Sequence, residues 1–315
     1  LIQSTASNDA PRLDYSTGSE AFLLEPQSTN LVTYSEDFSQ SSWNKNDMSI
    51  ESGYLAPDGT NSAYKITKTG SNAHLVNTIT GGNIGAKSIY AKTTSGTGTI
   101  LLFNSVDTYF TITEEWQRFE IEQDGLDFFY AADFRGNSTL TEIIIWGAQS
   151  EALSYATSYI PTSGASATRN QELCNNATPV INSEEGTLYA EISGFENDLS
   201  DRYISISDGT LNNAIRVFYY QDGGTTFFRK NVNGAQTTIV TTSAINKSEL
   251  TKIAIRYNST NFDVFSNGVK ISTNLDSNSF PISTLNEINF SNADGINQPF
   301  FGNTKGLKYY PKALA

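Results

Sequence analysis

The stretch Phe262-Asp263-Val264-Phe265-Ser266-Asn267-Gly268-Val269-Lys270-Ile271 decides the fold class. Two runs rich in aromatic and β-branched residues flank Asn-Gly. That pair suits a two-residue hairpin turn, because both of its positions accept a positive φ. The same pattern continues outward. Lys252 to Tyr257 precedes the hairpin, and Glu287 to Phe290 and Gly306 to Tyr310 follow it. Further upstream, Asp222-Gly223-Gly224 separates Ala214 to Tyr220 from Thr225 to Asn231, which gives a second hairpin candidate. Gly186 to Ser193, Tyr203 to Ser207 and Gln236 to Thr241 complete a strand series over 181–315.

A small-residue segment, 163–180, is expected to link this series to an earlier one over 31–162. There Ala63 to Thr67, Lys87 to Lys92, Thr99 to Phe103, Trp116 to Glu122, Phe128 to Ala132 and Glu142 to Trp146 read as strands. Pro57-Asp58-Gly59, Gly81-Gly82-Asn83 and Ser95-Gly96-Thr97-Gly98 read as turns between them. Residues 1–30 read as an arm with one or two short strands. No convincing amphipathic helix appears. The expectation is an all-β chain of two tandem antiparallel β-sandwiches, meeting near 163–180.

Composition agrees. The chain of 315 residues is 12% aromatic and 17% charged, with one Met. Its formal net charge is −13, which disfavours nucleic acid as a partner. The acidity is uneven. Residues 1–170 hold 19 acids and 9 bases, against 14 and 11 in 171–315. A single cysteine, Cys174, excludes an intrachain disulfide framework. No apolar run approaches the roughly 18–20 residues of a membrane-spanning helix, and no signal peptide is visible. The start at Leu1 suggests a piece of a longer product.

Several segments resemble the jelly-roll modules of phage virion proteins, which are related in fold to carbohydrate-binding modules. They are Pro11-Arg12-Leu13-Asp14-Tyr15, Leu23-Leu24-Glu25-Pro26-Gln27, Thr29 to Phe38 with Trp43, and Pro57 to Asn61. Trp116-Gln117-Arg118-Phe119, Trp146-Gly147-Ala148-Gln149, Ala156 to Thr162 and Ala167-Thr168-Arg169 continue the series. The second half resembles a concanavalin-like or laminin-G-like sandwich at Gly186 to Glu191, Asn267-Gly268-Val269 and Leu307 to Leu314. The tandem implies a tail fibre, head fibre or other appendage on a virion surface, with other virion proteins and glycans as partners. It also implies a homotrimer, with Tyr219 or Phe228 near a subunit contact. Two rivals stand beside it: the carbohydrate-binding portion of a secreted polysaccharide-degrading enzyme, and a purely structural decoration protein.

The residues themselves offer little catalytic chemistry. His74 is the one histidine and is expected to pack rather than react. Glu120 and Glu122 alternate on one strand and would share a face, as a glycosidase pair would. An exposed strand accounts for them equally, and no enzyme activity is expected. For Ca²⁺, which takes several oxygen ligands, the candidates are Glu36, Asp37 and Asp58 in the first module and Asp208 with Asn212 in the second. For sugar rings, the candidate aromatic platform is Trp43, Tyr109, Phe129 and Trp146 in the first module. In the second it is Tyr203, Tyr219, Phe227 and Arg229. Neighbouring aromatics such as Phe218-Tyr219-Tyr220 and Phe227-Phe228 cannot all be buried in regular strands, so some must face outward.

Overall fold

A computed structural model describes residues 12–15, 18–79, 85–103, 107–121, 127–174, 177–196 and 198–315. All regular structure among them is β, and the chain forms two compact units. The first strands, β1 (Arg12–Asp14) and β2 (Ala21–Leu24), belong to unit 2. The stretch Gln27–Asn170 then builds unit 1, and Gln171–Ala315 returns to unit 2.

Unit 1 contains β3 (Ser28–Asn30), β4 (Trp43–Asn46), β5 (Met48–Tyr54), β6 (Ala63–Lys68), β7 (His74–Thr78) and β8 (Ala86–Lys92). It continues through β9 (Gly98–Phe103), β10 (Asp107–Ile112), β11 (Gln117–Ile121), β12 (Phe128–Asp133), β13 (Glu142–Glu151) and β14 (Ala167–Arg169). Two five-stranded antiparallel sheets result, in the orders β10-β9-β12-β7-β4 and β11-β8-β13-β6-β5. β14 pairs with β3, so part of the expected linker is a strand of unit 1. Alternation fills the core. Phe129 is buried while its neighbour Phe128 is 46% exposed. β13 is buried on both faces: Ile143 and Ile145 enter the main core, and Ile144 and Trp146 enter a second cluster with Tyr90 and Tyr159. A bulge at Trp146/Gln149 contains Gly147 at φ +67°. A Cβ there would come within 3.2 Å of Tyr90 and 3.4 Å of Tyr159, so only glycine suits both the conformation and the space.

Unit 2 adds β15 (Gly186–Gly194), β16 (Arg202–Ser207), β17 (Ala214–Tyr219), β18 (Thr226–Val232) and β19 (Ala235–Thr242). Then come β20 (Thr251–Tyr257), β21 (Asn261–Ser266), β22 (Val269–Leu275), β23 (Glu287–Asn289) and β24 (Gly302–Tyr310). One sheet has seven strands in the order β1-β2-β24-β15-β20-β21-β22, and the other has five, β19-β18-β17-β16-β23. The Asn267-Gly268 turn joins β21 to β22 with φ of +49° and +82°, as the hairpin reading requires. A second Asn-Gly, at 233–234, joins β18 to β19 in the same way. The core contains Ile204, Ile206, Val217, Tyr219, Phe228, Ile253, Phe262 and Val264. Burial of each such side chain contributes on the order of 1.5–3 kcal/mol.

The described part of the arm up to Leu24 therefore supplies the last two strands at one end of the unit 2 sheet, with β1 at the edge. β2 pairs with β24 through Phe22↔Thr304, Leu23↔Asn303 and Leu24↔Gly302. A buried ion cluster fastens it. Arg12 contacts Glu25 at 2.7 Å and forms a two-point bond with Glu172. The two acidic segments also exchange backbone bonds, Glu172 N–H to Glu25 O at 2.9 Å and Glu25 N–H to the Glu172 carboxylate at 2.8 Å. Buried charges are tolerated when paired and hydrogen-bonded in this way.

Candidate functional site

In unit 1 the expected platform does not form. Trp43, Phe129 and Trp146 are almost wholly buried, because inward alternation gives each of them to a core cluster. Trp43 Nε1 donates to Tyr34 O at 2.9 Å, and Trp146 Nε1 to Ser62 Oγ at 2.8 Å, so even their polar ends are engaged. Tyr109 is half-buried, and its hydroxyl accepts the Asn137 N–H at 2.9 Å. His74 packs as expected, with Nδ1 2.8 Å from Asn72 O and Nε2 3.0 Å from Asn46 Nδ2. Glu120 is exposed and ion-pairs with Arg118 at 3.3 Å, and Glu122 lies outside the described residues. A cavity of about 390 Å³ is lined by Leu31, Thr33, Ser42, Asn77, Thr78 and Ser166.

The calcium candidates are occupied by their own turns. Asp37 accepts bonds from Ser39, Gln40 and Tyr64, whereas the adjacent Glu36 accepts from Tyr159. Asp58 Oδ1 accepts the Thr60 N–H and hydroxyl. Asp208 does the same with Thr210 and also accepts from Asn213, while Asn212 accepts the Gly234 N–H through its backbone carbonyl. Among the described residues no three acidic, histidine or cysteine side chains gather as a metal cluster. Each of these turns is held by donors from its own neighbourhood.

Unit 2 does bring candidates together, on the outer face of its five-stranded sheet. Registers place Tyr203, Phe218, Phe227 and Thr241 in one row across β16, β17, β18 and β19. The next row on the same face is Ser205, Arg216, Arg229 and Ile239. Between them the inward row is Ile204, Val217, Phe228 and Val240, which belongs to the core. Tyr219 thus falls on the inner face, and Tyr219 and Phe228 lie too deep to reach a subunit contact. Phe218 and Arg216 were not singled out from the sequence. Their signal was the two-residue spacing from each other and the cross-strand match to Phe227 and Arg229.

The outer face is stacked. The Tyr203 and Phe218 ring centroids are 4.2 Å apart at 16°, and those of Phe218 and Phe227 are 4.9 Å apart at 7°. The Arg229 guanidinium lies 4.9 Å from the Phe218 ring and 5.1 Å from that of Phe227, a cation–π arrangement. Residues 291–299 flank the other side. Ser205 Oγ donates to Ser291 O at 3.0 Å, and Tyr203 bridges to Pro299. Arg216 donates to Asn292 Oδ1 at 3.2 Å and to Asn231 Oδ1 at 2.9 Å. Burial, with the Asp201 carboxylate beside it, pushes the Tyr203 phenol up to about 12, so it stays a neutral hydroxyl. Phe227 and Arg229 remain partly open to solvent. The site therefore opens part of the Phe227 ring and of the Arg229 guanidinium to solvent, with Tyr203, Phe218 and Arg216 buried behind them.

A family model described as the concanavalin A-like lectin/glucanases superfamily matches residues 166–315. Comparison with curated proteins gives no match. Among solved structures, the chain is similar to the CBM40 module of a Ruminococcus gnavus IT-sialidase bound to α2,3-sialyllactose. The identity is 15% and the TM-score 0.36, over 46% of this chain and 92% of that one. The Caenorhabditis elegans galectin LEC-6 is similar at 14% identity and TM-score 0.33, over 44% and 91%. Sheep galectin-11 is similar at 10% and 0.30, over 44% and 96%. These are likenesses of chain path at low identity.

Proposed function

We propose that the chain is a non-catalytic glycan-binding protein whose ligand lies on the outer face of the five-stranded sheet of unit 2. One observation carries the reading: the Tyr203–Phe218–Phe227 stack with Arg229 laid against it, on a face that packing alone does not require to be aromatic. Sugar rings present C–H faces to such surfaces, and guanidinium and amide groups bond their oxygens. The lectin-like superfamily match over 166–315 supports this reading. The sequence landmarks of unit 1 support placing the protein on a phage virion appendage, outside the cell and assembled as a homotrimer. Unit 1 would then serve as a structural or attachment module.

The test is a glycan array with the full chain, followed by titration of the glycans it retains. Phe227→Ala is expected to weaken binding roughly tenfold, about 1.4 kcal/mol. Phe128→Ala, which removes an exposed ring from unit 1, is expected to leave it unchanged. An array with no retained glycan, or affinities indifferent to Phe227, would overturn the proposal.

A further inference from the structure

Arg216 and Arg229 stand directly opposite each other on β17 and β18. Like charges in that relation repel and destabilise a sheet, and the chain as a whole has acids to spare at −13. Elsewhere several cations are paired with carboxylates, while the buried Lys87, Arg169 and Lys247 donate to backbone carbonyls. Arg12 has Glu25 and Glu172, Arg202 has Asp198, Lys230 has Asp276, and Arg256 has Asp263. Arg216 and Arg229 have none among the described residues.

Arg216 is 6% exposed and held by two neutral amides, with its Nε buried and lacking a partner. Among the described residues the Arg229 side chain makes no hydrogen bond; its guanidinium lies over rings, and its Nε is likewise buried without a partner. Burial and the positive charge of Arg229 hold the Arg216 guanidinium below its ordinary value, although the Tyr203 phenol works the other way. An unsatisfied charged donor in so sheltered a place costs free energy that a ligand can return. The guanidinium is planar and meets a carboxylate through two parallel bonds, which a neutral hydroxyl cannot reproduce.

We infer that the missing partner is a carboxylate on the ligand: the sheet face binds glycans built from acidic sugars, with Arg229 as the open contact and Arg216 behind it. The inference rests on the glycan-binding reading above and names its substrate class. Phe227 and the residue two positions on, Arg229, project from the same strand face. A sugar ring lying against the open part of Phe227 therefore brings an attached or neighbouring carboxylate to Arg229, with Arg216 behind it. The charge repulsion between the arginines is relieved when that carboxylate arrives. The site then selects for the acid through attraction, and against the neutral sugar by leaving the pair uncompensated.

The experiment measures binding of the full chain to polygalacturonate, alginate and polysialic acid. Each is tested beside its carboxyl-reduced form, which keeps the backbone and loses the charge, and a sulfated galactan is included. The expected result is binding to at least one acidic polymer, lost on carboxyl reduction and weakened roughly tenfold by Arg229→Gln. Arg229→Lys should restore only part of it, because the charge returns without the planar fork. Lys252→Gln, an exposed charge loss on another strand, should change nothing. Among the described residues the Arg229 side chain makes no hydrogen bond, so its replacement is expected to leave folding intact, and circular dichroism checks this. Equal binding to reduced and acidic forms would overturn the inference while the glycan-binding reading stands. Equal binding of the sulfated galactan would also overturn it, replacing carboxylate selection with a general anion site. Failure with these polymers and with the whole glycan array would overturn both.

Discussion

At the scale of single residues, hydrogen bonding decides what the acids do. Asp37 shows this. Burial works to raise its carboxyl, but bonds from Gln40, Ser39 and Tyr64 outweigh it and hold it at about 2. The folded-state value is therefore depressed. The stability it contributes is fully present above the unfolded value near 4 and is lost as pH falls through about 2. Because the group is only half-buried, the contribution is on the order of 1 kcal/mol after allowance for solvent screening. Wild-type and Asp37→Asn proteins, unfolded with denaturant at pH 7 and again at pH 2.5, should differ clearly at the first pH and much less at the second. An undiminished difference at pH 2.5 would show that charge is not what Asp37 supplies. The sequence made such acids visible as turn and metal candidates, but not which role they take. That depends on donors such as Tyr64, far along the chain.

At the scale of elements, alternation was legible and its phase was not. Phe227-Phe228 and Phe128-Phe129 each send one ring inward and one outward, as period-two strands must. Which ring goes inward depends on the partner strands, and so of the run Phe218-Tyr219-Tyr220 it is Tyr219, the platform candidate, that enters the core while Phe218 takes the opposite face. The Asn233-Gly234 turn had the same chemistry as Asn267-Gly268 and could have been read from it. The arm was visible as short strands, but its partner β24 lies almost the whole chain away, and nothing local names it. Its anchorage can be tested. Arg12→Ala would leave Glu25 and Glu172 buried without their cation, which costs about 3–5 kcal/mol in comparable buried pairs. The melting transition of unit 2 should fall by many degrees while that of unit 1 stays in place. Coincident loss in both, or in neither, would contradict the assignment of β1 to unit 2.

At the scale of the whole molecule, the all-β class followed from composition and turn chemistry, while the division between units did not. Chain order places the arm beside unit 1, and only the pairing Phe22↔Thr304 transfers it to unit 2. Assembly is a separate question, and the proposed trimer is tested by mass. Light scattering of the full chain should give three times 34.4 kDa at micromolar concentration. A monomer would remove the trimer from the proposal. Tyr219 and Phe228 are buried, whereas Leu275 and Val269 on β22, the strand that closes one edge of the seven-stranded sheet, are exposed.

The pairing of β2 with β24 also sets a timetable. During synthesis Phe22 and Leu24 leave the ribosome long before Gly302 and Thr304 do. Unit 1, closed by β3 against β14, has all its strands available once Arg169 has emerged. Unit 2 cannot finish until residue 310 follows, since its first-made strands must wait beside an empty slot. Gly302 sharpens the requirement: a Cβ there would come within 2.0 Å of the Ser193 carbonyl, so the slot admits this strand only with glycine at that point. Until then the waiting strands are apolar edges in search of a neighbour, and another nascent chain offers one. The vulnerable interval in this protein's life is thus the synthesis of the stretch from Arg169 to Tyr310.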